Sequence, residues 1–318
     1  MAEQRLCRRS FLRRAGIGAG IAAGFTIEEG IFAGAMKQRA KPAKDETKGL
    51  LPTGKIGKLT ISRMICGGNL ISGYAHSRDL VYVSELMKQY NTDQRVMDTL
   101  ELCERNGINT ILSDPWDKPR RILNRYWKQR GGKIQWIVDC RPDPKDPKTN
   151  IQRAVDAGAS AIYVNGHWSE TLVGKGNIDA LAKMLQIIRD SGLPAGIGGH
   201  LLDVPIACEK ASLPVDFYVK TLHSRKYWSS EAKREHDNIW CRKPDETIAF
   251  MKTVAKPWIA YKTLAAGAVN PTVGFKYALT GGADFLCVGM FDFQVNDDVK
   301  IVKGLFKRGI RRDRPWRA

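Results

Sequence analysis

The chain has 318 residues, 43% of them hydrophobic, and 51 Lys and Arg against 33 Asp and Glu give it a formal charge of +18. This length and apolar content bury a large core, which excludes a disordered protein, and one α/β barrel of about 250 residues behind a leader accounts for it better than two unrelated domains. The cations are scattered, with no aromatic-interleaved cluster and no helix-turn-helix pattern. The charge therefore points to an anionic small molecule or to solubility, and not to nucleic acid.

Taken in order, Arg8-Arg9-Ser10-Phe11-Leu12-Arg13 and the small, apolar run from Ala15 to Gly24 resemble a twin-arginine export signal, a receptor-read address. Ala33-Gly34-Ala35 fits a small-x-small cleavage site, so residues 1–35 read as a signal peptide. Glu28 and Glu29 interrupt the apolar stretch, which is shorter than the ~20 residues a membrane span needs, so no stable anchor is expected after cleavage. The expected location is periplasmic or extracellular. Proteins taking this route fold in a reducing compartment first, so the seven cysteines are not expected in structural disulfides, and none forms a C-x-x-C pair. Residues 36–50 read as a linker.

Residues 51–62 predict a hairpin with Thr53-Gly54 or Ile56-Gly57 near its turn. A first strand follows at Arg63 to Asn69. Seven more are expected at Asn109–Leu112, Ile134–Asp139, Ala161–Asn165, Ala195–Gly198, Phe217–Lys220, Trp258–Leu264 and Phe285–Gly289. Helical runs alternate with them at Asp93–Asn106, Pro119–Gly131, Asn150–Ala157, Ile178–Asp190, Val204–Ala211, Pro244–Val254, Pro271–Leu279 and Asn296–Arg308. Asn177 and Asn270 suit helix caps, and Pro271 suits a first helical position because its missing donor would be unpaired anyway. Eight such units predict a single (β/α)8 barrel over residues 51–310, with residues 311–318 as a basic tail. An open doubly wound sheet is the alternative, but no G-x-G-x-x-G follows the first strand. The long insert Ser224–Arg242 follows strand six and suits a loop over the mouth.

Three of the five histidines, His167, His200 and His223, fall at or just after strand ends. Parallel strands place their carboxyl ends on one rim, so these imidazoles are expected to meet there with Asn69, Asp114, Asp139, Lys262 and Asp292. His167, His200, His223 and Asp139 could hold a divalent metal, because imidazole and carboxylate both donate lone pairs. The same groups could instead transfer protons without a metal. Lys220 and Lys262 sit in similar contexts, Tyr218-Val219-Lys220-Thr221-Leu222 and Tyr261-Lys262-Thr263-Leu264, where a desolvated amine could take a carbonyl substrate or pair with an anion. Small residues at Ala265-Ala266-Gly267-Ala268 and at Gly289 would let backbone amides approach a phosphate, or simply allow tight turns.

The hairpin, the glycine-ended first strand, Glu104-Arg105-Asn106-Gly107-Ile108-Asn109-Thr110-Ile111 and Tyr163-Val164-Asn165-Gly166-His167-Trp168 are similar to the corresponding parts of aldo-keto reductases over roughly residues 50–300. The resemblance implies a (β/α)8 barrel, a nicotinamide cofactor with its phosphates near Gly267 and Gly289, and a catalytic tetrad of Asp, Tyr, Lys and His. Only the histidine of that set carries over, to His167. Leu112 stands at the aspartate position, Pro115-Trp116-Asp117 replaces the tyrosine loop, and Asp139-Cys140 stands where the lysine would be. Without a phenol and its lysine, carbonyl reduction lacks its acid.

The sequence reading is therefore an exported barrel enzyme acting on a small polyhydroxylated or keto, carbohydrate-like or anionic substrate, by lyase, isomerase or hydrolase chemistry. His167, His200, His223, Asp139 and Lys262 are its expected catalytic residues. Two alternatives stand beside it. One is an oxidoreductase with tightly bound NADP. The other is a non-catalytic barrel binding a saccharide through Trp116, Trp168, Trp228 and Trp240.

Overall fold

A computed structural model describes residues 51–74, 80, 82–227, 230 and 240–318. The leader, the linker, Trp228 and most of the insert after the sixth barrel strand lie outside the described residues. Strands β1 (Thr53–Ile56) and β2 (Leu59–Ser62) form the expected antiparallel hairpin, turning at Gly57 with φ +56. The eight barrel strands are β3 (Met64–Gly67), β4 (Thr110–Ser113), β5 (Gln135–Cys140), β6 (Ala161–Val164), β7 (Ala195–Gly199), β8 (Phe217–Thr221), β9 (Trp258–Tyr261) and β10 (Phe285–Val288). All are parallel to their neighbours, and β10 pairs with both β9 and β3, so the sheet is a closed barrel.

The helices are α1 (Asn69–Ser72), α2 (Tyr82–Tyr90), α3 (Asp93–Arg105), α4 (Asp117–Arg130), α5 (Pro147–Asp156), α6 (Gly166–Gly174), α7 (Ile178–Asp190), α8 (Asp203–Lys210), α9 (Pro244–Thr253), α10 (Pro271–Thr280) and α11 (Asp292–Arg308). Their starts follow from their caps: Thr92, Asp146, Asn177 and Asn270 each accept a first-turn amide through the side chain. None of the described helices is long and apolar enough to cross a membrane.

Alternation along the strands divides the core in two. Ile162, Val164, Val138 and Ile197 face the helices, whereas Ile65, Leu112, Ile137, Tyr163, Phe217, Val219, Ile259, Phe285 and Cys287 fill the barrel. Ile56 and Ile61 of the hairpin belong to the inner cluster and plug the amino-terminal end. On β7 the inward positions are glycines because aromatic side chains from the neighbouring strands occupy their space. A Cβ on Gly196 would lie 2.5 Å from the Phe217 ring, and one on Gly198 would lie 2.9 Å from the Tyr163 ring.

Three expectations change. The strand expected over Trp258–Leu264 ends at Tyr261, and helix α6 begins directly after β6, where no helix was expected. Residues 311–318, expected as a basic tail, are tied to the barrel through Arg312 and Arg314. Arg314 is 2% exposed, and its five N–H groups go to Met251 O, Gly282 O, Asp284 Oδ2, Val254 O and Lys256 O. Arg312 bonds Gly282 O, Ala283 O and Asp284, and Arg63 bonds Asp284 O and Ala318 O. Asp284 is fully buried under these cations and also accepts from the amides of Trp258 and Arg317. The basic segment is thus a clasp that locks the starts of β3, β9 and β10.

Removing a buried carboxylate strands the guanidinium groups it neutralises. Asp284→Ala is expected to cost ~3–5 kcal/mol in urea unfolding. Asp313→Ala, which breaks the exposed pair with Lys252, is expected to cost less than ~1 kcal/mol. Equal costs would contradict the clasp.

Candidate active site

The carboxyl ends of the strands bring part of the expected set together. Asp139, next to last in β5, is partly buried and accepts from Asn165 Nδ2 at 2.8 and 3.0 Å. Its register partner on β6, Tyr163, faces the barrel interior beside it. Burial pushes the Asp139 carboxyl up to about 6, with Asn165 and Arg141 opposing. Burial also raises Tyr163 and Tyr261 well above the usual phenol range, so both remain protonated donors at neutral pH. The charges of Glu170 and Asp139 add to the rise at Tyr261.

His200 follows β7 and lies at the centre. Glu170, from α6, takes both the backbone amide of His200 and the amide of Leu201, the latter at 2.9 Å, and its Oε1 lies 3.1 Å from His200 Nδ1. A carboxylate that already accepts two amides calls for a proton on Nδ1, which leaves the lone pair on Nε2. The His200 carbonyl is held from the other side by Lys220 Nζ at 2.7 Å and Thr221 Oγ1 at 3.1 Å. The ring packs at a tilt against Trp240, at 4.8 Å and 36°, and against Tyr261, at 5.5 Å and 44°. Burial and the charges of Lys262 and Lys220 lower the His200 pKa, with Glu170 opposing, so the imidazole is neutral at pH 7. Gly166 keeps the mouth open. A Cβ there would lie 3.1 Å from the Tyr261 hydroxyl and 3.3 Å from His200 Cε1.

Lys262 is not on a strand. It opens a turn with φ +57, followed by Ala265 and Ala266 at φ +46 and +55, and its Nζ lies 3.9 Å from the Trp240 ring centroid. Non-glycine residues in the left-handed region are uncommon, and their clustering beside the mouth marks a segment fixed by its surroundings. Lys220 is 1% exposed, and its amine is spent on His200 O and Thr221, so it reaches no substrate. Burial brings it down to about 8.

The expected metal set does not assemble. His223 is fully buried, with Nδ1 against Ser224 O at 3.1 Å and Nε2 accepting the amides of Trp240 at 3.0 Å and Cys241 at 2.8 Å. Both ring nitrogens are used, so no lone pair remains for a metal. What His223 does is anchor the backbone at Trp240 and Cys241, and the Trp240 ring packs against His200. His167 is exposed, because Asn165 Oδ1 accepts the amides of His167 and Trp168 and starts α6 at once, carrying the ring out of the strand path. Among the described residues no group of three His, Cys, Asp or Glu is arranged to hold a metal ion.

The remaining rim residues divide similarly. Asp114 is buried beside Ser72, whereas Asp292 pairs outside the mouth with Tyr90 and Arg95. Gly267, with φ +87, faces open space, and Gly289 is exposed near Leu70. A dinucleotide phosphate does not fit well here. The first free amide of α10 is taken by Asn270 Oδ1, and residues 289–296 offer Asp292 but no Lys or Arg. The tryptophans do not form one platform, since Trp240 packs in the mouth while Trp168 lines a cleft beside it. Glu170, Tyr163 and Tyr261 were missed. The inward register of Ala161 and Tyr163 on β6 was the available signal for one of the tyrosines.

Solved structures share this fold. An aldo-keto reductase of Pseudomonas aeruginosa superposes with a TM-score of 0.56 at 14% identity, over 81% of this chain and 98% of that one. One from Bacillus halodurans in its holo form gives 0.55 at 11%, over 80% and 91%. At such identities the likeness establishes the barrel alone. No protein-family model matches the sequence, and no curated protein matches it.

His223 has its pKa lowered by burial to about 4. A depressed histidine pKa favours the folded state above the unfolded value near 6.5 and loses that contribution as pH falls towards 4. It should account for up to about 3 kcal/mol of the stability lost between pH 7 and 4. Urea unfolding of His223→Ala should lack this component of the slope and be ~1–3 kcal/mol less stable at pH 7. An unchanged slope would remove the anchor role.

Proposed function

We propose that this barrel is an enzyme of the proton-transfer kind, acting on a small keto or polyhydroxylated molecule as an isomerase or lyase. The observation that carries this reading is the Glu170-braced, neutral His200 facing a mouth that also holds Asp139, two phenols and Lys262. His200 Nε2 takes a proton from carbon next to a carbonyl. The ammonium of Lys262 and the Tyr261 hydroxyl stabilise the developing oxyanion, and Asp139, protonated below about 6, returns a proton. Two acid–base groups whose environments shift them in opposite directions give a division of labour within one pocket. The Arg8-Arg9 leader supports export by the twin-arginine route, and the proposed workplace is the periplasm.

Solvent exchange tests this directly. In D2O the protein should label carbon next to the carbonyl in at least one member of a panel of ketoses, aldoses and 2-keto acids. His200→Ala should slow labelling by ~10²–10⁴-fold. Labelling that is equal in the variant, or absent throughout the panel, contradicts the reading. Because His200 must be neutral and Asp139 protonated, kcat/KM should peak in mildly acidic solution and fall as pH rises through about 6. Asp139→Asn should lose that alkaline limb.

A further inference from the structure

Helix α6 has a second face. Glu170 points to His200, but Trp168, Thr171, Leu172 and Lys175, spaced as one helical stripe, line a cleft of about 540 Å³ on its other side. The opposite wall comes from the loop after β5, Arg141 and Asp143, and from Asn150 of α5.

Two cations here are uncommitted. Among the described residues neither the Arg141 guanidinium nor the Lys175 ammonium makes a side-chain hydrogen bond or ion pair, and the Arg141 guanidinium lies 5.6 Å from the centroid of the Trp116 ring. The neighbouring groups are already engaged. Trp168 Nε1 donates to Pro142 O at 2.6 Å, Asp143 Oδ1 accepts the Lys145 amide at 2.9 Å, and Thr171 Oγ1 donates to His167 O at 2.9 Å. Asp143 opposes the cations with one charge, leaving a net positive cleft with an indole wall. The charge of Arg141 is also felt by Asp139 and Asp114, opposing the rise that burial gives both carboxyls. It is two residues from Asp139, on the same strand end.

We propose that this cleft binds the anionic end of a polyhydroxylated substrate, a carboxylate or a phosphate, held by Arg141 and Lys175 with carbons against Trp168. The proposal rests on the proton-transfer reading of the mouth and specifies its substrate class. Arg141 follows Asp139 by two residues and Trp168 precedes Glu170 by two, so a molecule anchored in the cleft would extend from there toward the mouth. An anion at Arg141 would also offset the charge that holds Asp139 down, keeping its proton available.

Tryptophan fluorescence of the full-length protein, titrated with D-galacturonate, glucose 6-phosphate and neutral D-glucose at low salt, tests this. At least one anion should bind saturably and at least tenfold more tightly than glucose. Arg141→Gln and Lys175→Gln, both at exposed positions, should each weaken it by about tenfold or more, and Trp168→Phe should remove most of the signal. Galacturonate and glucose 6-phosphate distinguish carboxylate from phosphate. His200→Ala should bind the anion within about twofold of wild type while losing exchange chemistry, which separates the cleft from the reading of the mouth. Equal binding of glucose, no binding of either anion, or unchanged affinity in both cation variants overturns the proposal.

Discussion

Closure of the sheet through the β10–β3 pair is the constraint on which the rest depends. In a closed parallel barrel each strand side chain faces either the lumen or the helices, and all the carboxyl ends open on one rim. Tyr163 and Asp139 share a register position and meet for that reason alone. The Asp284–arginine clasp at the opposite end secures the same closure, tying the starts of the last two strands and the first.

Within that frame α6 is the organising helix. Its early start, set by Asn165, brings Glu170 to the loop after β7, and two amides and an imidazole converge on that one carboxylate. Charge-assisted bonds of this kind contribute ~1.5–3 kcal/mol each. Lys220 and Thr221 fix the carbonyl of the same residue, so His200 is held from both sides of its backbone. His223 then fixes Trp240 over the ring. The result is a neutral imidazole held in place within a partly desolvated mouth, the preorganisation that the proposed acid–base role would use.

The barrel was legible because strand and helix periods alternate eight times with clear caps, and those are local signals. The site was legible only in part. His200 and Asp139 stand where strand ends predict them, and Lys262 reaches the mouth from a turn that reads as strand because Tyr261-Lys262-Thr263-Leu264 is β-prone. His167 and His223 show what spacing cannot encode. A one-residue cap at Asn165 turned the first outward, and two amides from a segment seventeen and eighteen residues away consumed the second. Glu170 gave no sign of itself, since its partner lies thirty residues on and the contact exists only in three dimensions. The basic segment from Arg311 read as a tail because Asp284 is likewise remote in sequence.

The central claim is that His200 is a neutral base with its proton on Nδ1, directed by Glu170, and that claim stands independently of any substrate. Nitrogen-15 NMR of the imidazole across pH 4–8 reads it most directly. The account predicts an Nδ1–H, Nε2-unprotonated ring at pH 7 that titrates below the usual histidine value near 6.5. An Nε2–H tautomer, or an imidazolium persisting at pH 7, would contradict it.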